Sequence, residues 1–373
     1  MKGKTITAGQ VVRAIGCMTG TSLDGVDVAG LDTDGERIFG FGPSSYRGFS
    51  DNETAVLRAA LGRWPGDPGV AEAAQVIEAA HLDLLRDMGG DLIGFHGQTL
   101  AHDPGQRGTH QTGNGARLAR ELGLPVAWDF RSADVAAGGQ GAPLAPVFHF
   151  ALAQWIGAVS PVVFLNLGGV GNITWVDPRA EAPFAPGAML AFDTGPANAP
   201  INDLMRTRRG VGQDAGGALA AQGRPDRQIV DAFGAHPYFR KPPPKSLDRD
   251  DFAGLAEAVA GLDDADAAAT LTEAATLAVA RALQMVPRPP SRVIVCGGGR
   301  RNATLMDRLR HHLSCDTAPA EDAGLDGDMI EAQAFAYLAV RCARGLPISG
   351  PDTTGAPAPM SGGQLSWPAT GRP

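Results

Sequence analysis

The stretch GCMTGTSLDGVDVAG, residues 16–30, decides how the rest of the chain is read. Before it, Val11, Val12, Ala14 and Ile15 form an apolar run. After its loop, Val26, Val28 and Leu31 recur with Asp27 and Gly30 between them. A strand that breaks into glycines, hydroxyls and one carboxylate, Asp24, and then resumes predicts a β-hairpin with Asp24-Gly25 at its turn. Two physical readings fit such a loop. It is an ordinary tight turn, or it is a phosphate cradle. In the second case glycines let backbone N–H groups approach an anion, and Thr19, Thr21 and Ser22 add hydroxyl donors. One loop does not choose between them.

With 373 residues the chain is long for one domain, so two are expected. Its 44% hydrophobic and 19% charged residues suit a globular protein with substantial cores. A net charge of −8 and a pI near 5.5 argue against a nucleic-acid or anionic-membrane surface. Cys17, Cys296, Cys315 and Cys342 lie far apart without a CxxC pair and read as reduced thiols of a cytoplasmic protein. The opening MKGKTITAGQ lacks the apolar core of a signal peptide. Phe150 to Leu167 approaches membrane-spanning length, but Gln154, Ser160, Pro161 and Asn166 interrupt it, predicting helix, turn and strand.

Strand-like runs ending in small-residue loops recur at 91–99, 162–176, 188–196 and 292–302. Ala-rich stretches with helical spacing lie at 53–61, 70–88, 144–158, 263–285 and 331–345. This alternation implies an α/β protein with helix-covered sheets. The unit at 162–176 repeats the design of the first hairpin without a residue-level repeat. None of the lysines (Lys2, Lys4, Lys241, Lys245) follows a glycine-rich loop, so a GxxxxGK phosphate loop is absent. No GxGxxG opens a helix after the first strand either, which removes support for a dinucleotide fold. If phosphates bind, amides and hydroxyls on two hairpins must hold them while a metal neutralises charge. That arrangement belongs to the two-domain actin-like and hexokinase-like ATPases.

GCMTGTSLDGVDVAG, FHGQTLAHDP, DFRSADVAAGGQGAPLAP, NLGGVGNIT, FDTGPANAPIND, VCGGGRRN and GLDGDMIEAQAFAYLA follow in that order, and TTGAPAPMSGG closes the series. From about residue 14 to Gly363 the chain resembles the bacterial anhydro-N-acetylmuramic acid kinases. The resemblance implies an actin-like/hexokinase-like fold of two ribonuclease H-like domains facing a central cleft. The expected boundaries are residues 1–135 with 357–373 for one domain and 136–356 for the other. It further implies that ATP and water open 1,6-anhydro-N-acetylmuramic acid to N-acetylmuramic acid 6-phosphate in cell-wall recycling, in a cytoplasmic homodimer with Mg²⁺. Within enzymes, the alternative is a kinase for another amino sugar. From another class, the alternative is a nucleotide-switch regulatory protein of the same fold, which would not need a reaction base at Asp193.

The same resemblance assigns roles. Asp193, ending an apolar strand in FDTGP, would take the proton of a water attacking the anomeric carbon. As a bare pattern, an Asp before Thr-Gly-Pro is often just a turn former accepting backbone N–H bonds. Gly20, Thr21, Ser22, Leu23, Asp24, Gly25, Val26 and Asp27 would form the nucleotide-phosphate loop, with Asp24 orienting Mg²⁺ through waters or merely capping the turn. Gly168, Gly169 and Asn172 would close on the phosphates from the second hairpin, and Gly297, Gly298, Gly299 and Asn302 would pack near adenosine. His96, Gln98, Arg131 and Glu331 match the sugar-facing positions, and Arg131 suits the lactyl carboxylate. Glu331 at a helix start also favours the helix dipole. Two departures stand out. Ala197 replaces the family's usual glycine, and Pro200 removes an N–H donor, which predicts a stiffer loop after Asp193. Cys17 and Thr19 are milder changes.

Overall fold

The first hairpin forms where the apolar pattern requires it. In the computed structural model, which describes residues 6–247 and 251–368, β1 (Val12–Thr19) pairs antiparallel with β2 (Gly25–Thr33). The turn is not at Asp24-Gly25. It is closed one step earlier by the Leu23 N–H donating to the Gly20 carbonyl at 3.2 Å, with Leu23 itself left-handed at φ 61°. A leucine accepts that conformation because its side chain is buried with Ile15, Cys17 and Val26, and the burial offsets the strain. Gly25 has a packing reason instead: a Cβ there would lie 2.3 Å from the Arg47 carbonyl. That carbonyl belongs to β3 (Ile38–Gly48), which extends the meander.

Helices α1 (Asp51–Ala60) and α2 (Val70–Leu85) follow, the first opened by a Ser50/Glu53 capping box. Then come β4 (Leu92–Phe95), a separate ribbon of β5 (Gln98–Asp103) and β6 (Gly108–Thr112), α3 (Gly115–Leu122), β7 (Val126–Trp128), α4 (Ser132–Ala136) and α5 (Pro146–Trp155). A second meander is built from β8 (Val162–Leu167), β9 (Val170–Val176) and β10 (Met189–Pro196). Helices α6 (Asn198–Arg209), α7 (Arg227–Gly234), α8 (Gly254–Ala258) and α9 (Asp264–Leu283) lead to β11 (Arg292–Cys296), α10 (Ala303–His312) and β12 (Asp316–Pro319). The chain ends its ordered elements with α11 (Ile330–Ala343) and β13 (Gln364–Ser366).

The two large sheets have strand orders β13-β7-β4-β1-β2-β3 and β10-β9-β8-β11-β12. In each, a three-strand antiparallel meander is followed by two strands parallel to its first member, β4 and β7 beside β1, β11 and β12 beside β8. The duplicated design expected from the sequence is therefore a duplicated topology. This is the two-domain actin-like, hexokinase-like α/β fold. The expected break in Phe150 to Leu167 is also present, between α5 and β8. Among the described residues, no helix is long and apolar enough to cross a membrane.

One unit comprises the described residues through Trp155 and from Met329 onward; the other runs from Ile156 to Asp328. The sequence boundaries at 135/136 and 356/357 differ from these, because α5 and α11 pack on the first sheet. Helix α11 lies on β1 and β4 with almost nothing between: Cβ atoms at Gly16 and Gly94 would sit 1.8 Å from the Ala332 carbonyl oxygen and 2.1 Å from that of Phe335. Helix α5 is held by Phe148 against Tyr337, at 5.5 Å between ring centroids, and by Trp155 against Phe41, at 5.4 Å. An apolar helix face looks the same whichever sheet it covers, so the pattern could not assign these helices. Gly94→Ala should lower unfolding free energy by about 2 kcal/mol through overpacking, read as a lower urea midpoint at unchanged slope.

Candidate functional site

Asp193 lies in the second half of β10, which continues to Pro196, beside a register irregularity that separates it from Gly195. Its strand partner is Asn172 on β9, whose partner on β8 is Asn166, whose partner on β11 is Cys296. Asp193, Asn172 and Asn166 are all partly exposed, while Phe192, Ile173 and Leu165 beside them are buried on the opposite face. Three polar side chains thus cross one end of the sheet in a row. Asn166 was not among the candidates, although a polar residue in the apolar run VVFLNL was a visible signal.

Residues 238–247 hold Asp193 from the side. Its N–H donates to the Lys245 carbonyl at 3.0 Å, its Oδ2 accepts the Leu247 N–H at 2.8 Å, and its carbonyl accepts the Tyr238 hydroxyl at 2.6 Å. Burial pushes the Asp193 carboxyl up to about 6, and the Leu247 N–H opposes that rise. Burial, with Asp193 and Asp251 nearby, raises the Tyr238 hydroxyl, which keeps it a donor. The Lys245 ammonium, 4.4 Å from the Tyr238 ring centre, donates to the Tyr238 carbonyl at 3.0 Å; burial and Lys241 lower it to about 8.

The stretch after Asp193 is not a loop but the first turn of α6. The N–H groups of Ala197 and Ala199 donate to the Gly169 carbonyl at 3.0 and 3.1 Å, and that of Asn198 to Gly168 at 3.0 Å. The Asn198 amide adds bonds to the carbonyls of Leu167 and Gly168 at 2.8 and 2.9 Å. The hairpin tip and the helix start are therefore one stitched piece. Pro200 sits where a helix has no internal partner for an N–H, so its missing donor costs the helix nothing.

The glycine triplet divides. Gly297 has φ 70°, and a Cβ there would meet Asn166 Oδ1 at 2.2 Å; at Gly299 it would meet Leu167 Cβ at 2.5 Å. Gly298 alone is exposed with open space around it. The Asn302 side chain is engaged within the protein. It caps α10 by accepting the Leu305 N–H at 3.0 Å, and Gly217 packs on it.

In the first unit the phosphate-loop candidates divide as well. Thr21, Ser22 and Asp24 are exposed, whereas Leu23 and Val26 are core side chains that can offer only backbone. Asp27 lies in β2, and the Thr19 hydroxyl is already engaged, donating to the Gly97 carbonyl at 2.8 Å. The sugar-side candidates do meet. His96 Nε2 accepts the Arg131 Nε and Nη2 donors at 3.1 and 3.0 Å, and Arg131 Nη1 donates to the Gly141 carbonyl at 2.7 Å. Burial lowers the Arg131 guanidinium to about 10, opposed by Glu331 and Asp134. Glu331 is solvent-accessible at the start of α11, with the Arg131 charge near enough to favour its ionised form. Gln98 is fully buried; its amide donates to the Thr99 carbonyl at 3.2 Å, and its Oε1 has no partner among the described residues. Asp134 supports the group from beneath, accepting Gly141 N–H and the Thr354 hydroxyl, each at 2.7 Å. DFRSADVAAGGQGAP and TTGAP are thus two halves of one buried polar cluster.

The family model described as anhydro-N-acetylmuramic acid kinase matches residues 67–368. The chain belongs to that family. An anhydro-N-acetylmuramic acid kinase from Cereibacter sphaeroides is 63% identical over 361 residues, covering 96% of this chain and 97% of that one. Anhydro-N-acetylmuramic acid kinase 1 from a Jannaschia species is 59% identical over 370 residues, covering 99% and 98%. Among solved structures, the activator of the 2-hydroxyisocaproyl-CoA dehydratase from Clostridium difficile with bound ADPNP aligns at TM-score 0.44 and 11% identity, covering 89% and 96%. Membership of the kinase family rests on the sequence relatives.

For a divalent cation, the described residues contain no group of three or more His, Cys, Asp or Glu arranged to hold one. The Asp24 carbonyl is engaged by the Tyr46 hydroxyl at 2.9 Å and the Phe49 N–H at 3.0 Å, so its exposed carboxylate is what remains. One such carboxylate fits an ion that keeps its waters and arrives with nucleotide phosphates. Gly20 offers a clean test of the loop. A Cβ there meets the Ser22 Oγ at 3.3 Å and the Ser22 backbone nitrogen at 3.9 Å, so Gly20→Val should fold. Calorimetry should nevertheless show ATP-Mg²⁺ binding weakened by about 2 kcal/mol, the loss of one charge-assisted hydrogen bond. Unchanged affinity would remove this loop from the site.

Proposed function

We propose that this kinase uses ATP and water to open the 1,6-anhydro ring of anhydro-N-acetylmuramic acid and phosphorylate O6, with Asp193 as the base. The observation that carries this reading is the Asp193 carboxyl. It accepts one hydrogen bond, from the Leu247 N–H, while two more hold the residue's backbone in place, and it is poised near 6, so that at neutral pH it is mostly ionised yet still basic. Water bonds to C1 and gives its proton to Asp193. The C1–O6 bond breaks, O6 bonds to the γ-phosphorus, and ADP leaves. The products are N-acetylmuramic acid 6-phosphate and ADP, and Asp193 returns its proton to solvent. No separate acid is needed, because the departing O6 is captured by phosphorus.

The roles of the chain are positioning and charge. Gly20 with Thr21 and Ser22 on the first hairpin, and Gly168 and Gly169 on the second, present backbone and hydroxyl donors to the phosphates. Asp24 would hold the waters of Mg²⁺, which supplies charge neutralisation at the phosphates when bound. Arg131 would take the lactyl carboxylate of the sugar, with Gln98 and Glu331 beside it. The roles in cell-wall recycling, in the cytoplasm and as a homodimer complete the proposal.

Asp193→Asn keeps shape and removes the base, so sugar opening and ADP release should fall together by ~10²–10⁴-fold while ATP binding persists. In the wild type, kcat should fall as pH drops through about 6, because protonation removes the base. Turnover in ¹⁸O-water should label C1 of the product and leave the phosphate unlabelled. Label in the phosphate, or near-normal turnover of the Asn variant, would reject the mechanism. Arg131→Lys keeps the charge but loses the planar fork, so it should weaken anhydro-N-acetylmuramic acid and spare the neutral anhydro-N-acetylglucosamine. Competition calorimetry with the two sugars reads this directly.

A further inference from the structure

His96 entered the argument as a sugar contact, but its hydrogen bonds describe a different task. It is 4% exposed, directly after β4, packed at a 44° tilt against Phe335 of α11 with 4.6 Å between ring centroids. Both contacts from Arg131 reach the same atom, His96 Nε2. A nitrogen that accepts N–H bonds carries no proton, so the neutral ring must hold its proton on Nδ1. A guanidinium has five N–H donors. The Nε donor and one on Nη2 are engaged by His96, and one on Nη1 by the Gly141 carbonyl. Among the described residues this leaves one N–H on each terminal nitrogen to meet an anion.

We infer that His96 is a positioning residue for substrate charge: as a neutral acceptor it clamps Arg131 so that one donor on each terminal nitrogen serves the sugar carboxylate. This rests on the reading of Arg131 given above and deepens it. A neutral clamp has a specific advantage over a carboxylate in the same place. It fixes the guanidinium without neutralising it, so the positive charge remains for an anionic substrate. Protonation of His96 would place two cations face to face and remove the acceptor. The surroundings oppose that: burial, the Arg131 charge and His81 hold the ring well below its ordinary value, with only the Gly97 backbone acting the other way. His102, lowered by burial and by Arg131, adds no compensating anion, while Glu331 and Asp134 act on Arg131 itself.

The wild-type protein tests the tautomer without any substitution. Nitrogen-15 histidine spectra should show His96 neutral with its proton on Nδ1 from pH 5 to 8; an Nε2–H or a charged ring overturns the inference. Two variants test the task. His96→Phe keeps an aromatic ring against Phe335 and removes the acceptor, so affinity for anhydro-N-acetylmuramic acid should fall about tenfold, while anhydro-N-acetylglucosamine changes less than about twofold. His96→Gln restores an acceptor and should recover part of the discrimination. Equal losses for both sugars in both variants overturn the clamp. Arg131→Lys, run in parallel, separates the two readings. If it fails to discriminate between the sugars, the assignment of Arg131 falls; if it discriminates and His96→Phe does not, only the clamp falls.

Discussion

The first unit depends on the absence of two side chains. Gly16 and Gly94 sit on adjacent parallel strands, and α11 lies on them with its own carbonyls where Cβ atoms would otherwise be. That contact sets how far α11 can approach the sheet. It thereby sets where Glu331 and Phe335 stand relative to His96 and Arg131. The polar cluster is held from the other side by Asp134, whose oxygens take Gly141 and Thr354. Backbone packing and one buried carboxylate therefore fix a group whose members are far apart in sequence. The cost of desolvating Arg131 is met by Glu331 and Asp134 nearby and by direct hydrogen bonds to His96 and Gly141.

Much of the fold was legible because periodicity reports burial. The strands at 162–176 and 188–196 and the long helix at 264–283 appear within a few residues of their expected limits. The duplicated meander was legible as a repeated design of apolar run, small polar loop and apolar run. Which sheet a helix covers was not legible, so α5 and residues 329–356 were assigned to the wrong side of the boundary. Residues 210–262 were also not foreseen. Their short helices carry no long period, and the described residues among them share an aromatic cluster of Phe233, Tyr238, Phe239 and Phe252 assembled from separate turns.

The glycines show why motif matching stops short of a site. Gly25, Gly297 and Gly299 are demanded by neighbouring protein atoms, whereas Gly20, Gly168 and Gly298 have room around them. Both kinds read identically as letters in a glycine-rich loop. Asn302 and Leu23 teach the same lesson, one a helix cap and one a core residue inside motifs assigned to nucleotide. Conversely, Asn166 is invisible to a loop search because it lies within a strand, and only register places it in the row with Asp193.

The dependence of Asp134 on Thr354 bears on how the chain is made. Residues 156–328 are contiguous, so every strand of the second sheet is synthesised, and emerges, ahead of α11. The first sheet, although begun earlier, lacks its covering helix, its edge strand β13 and the Thr354 hydroxyl until synthesis is nearly finished. A nascent chain can therefore complete the half that carries Asp193 while the half that carries Arg131 is still open. The order of translation thus sets which of the two units can close first.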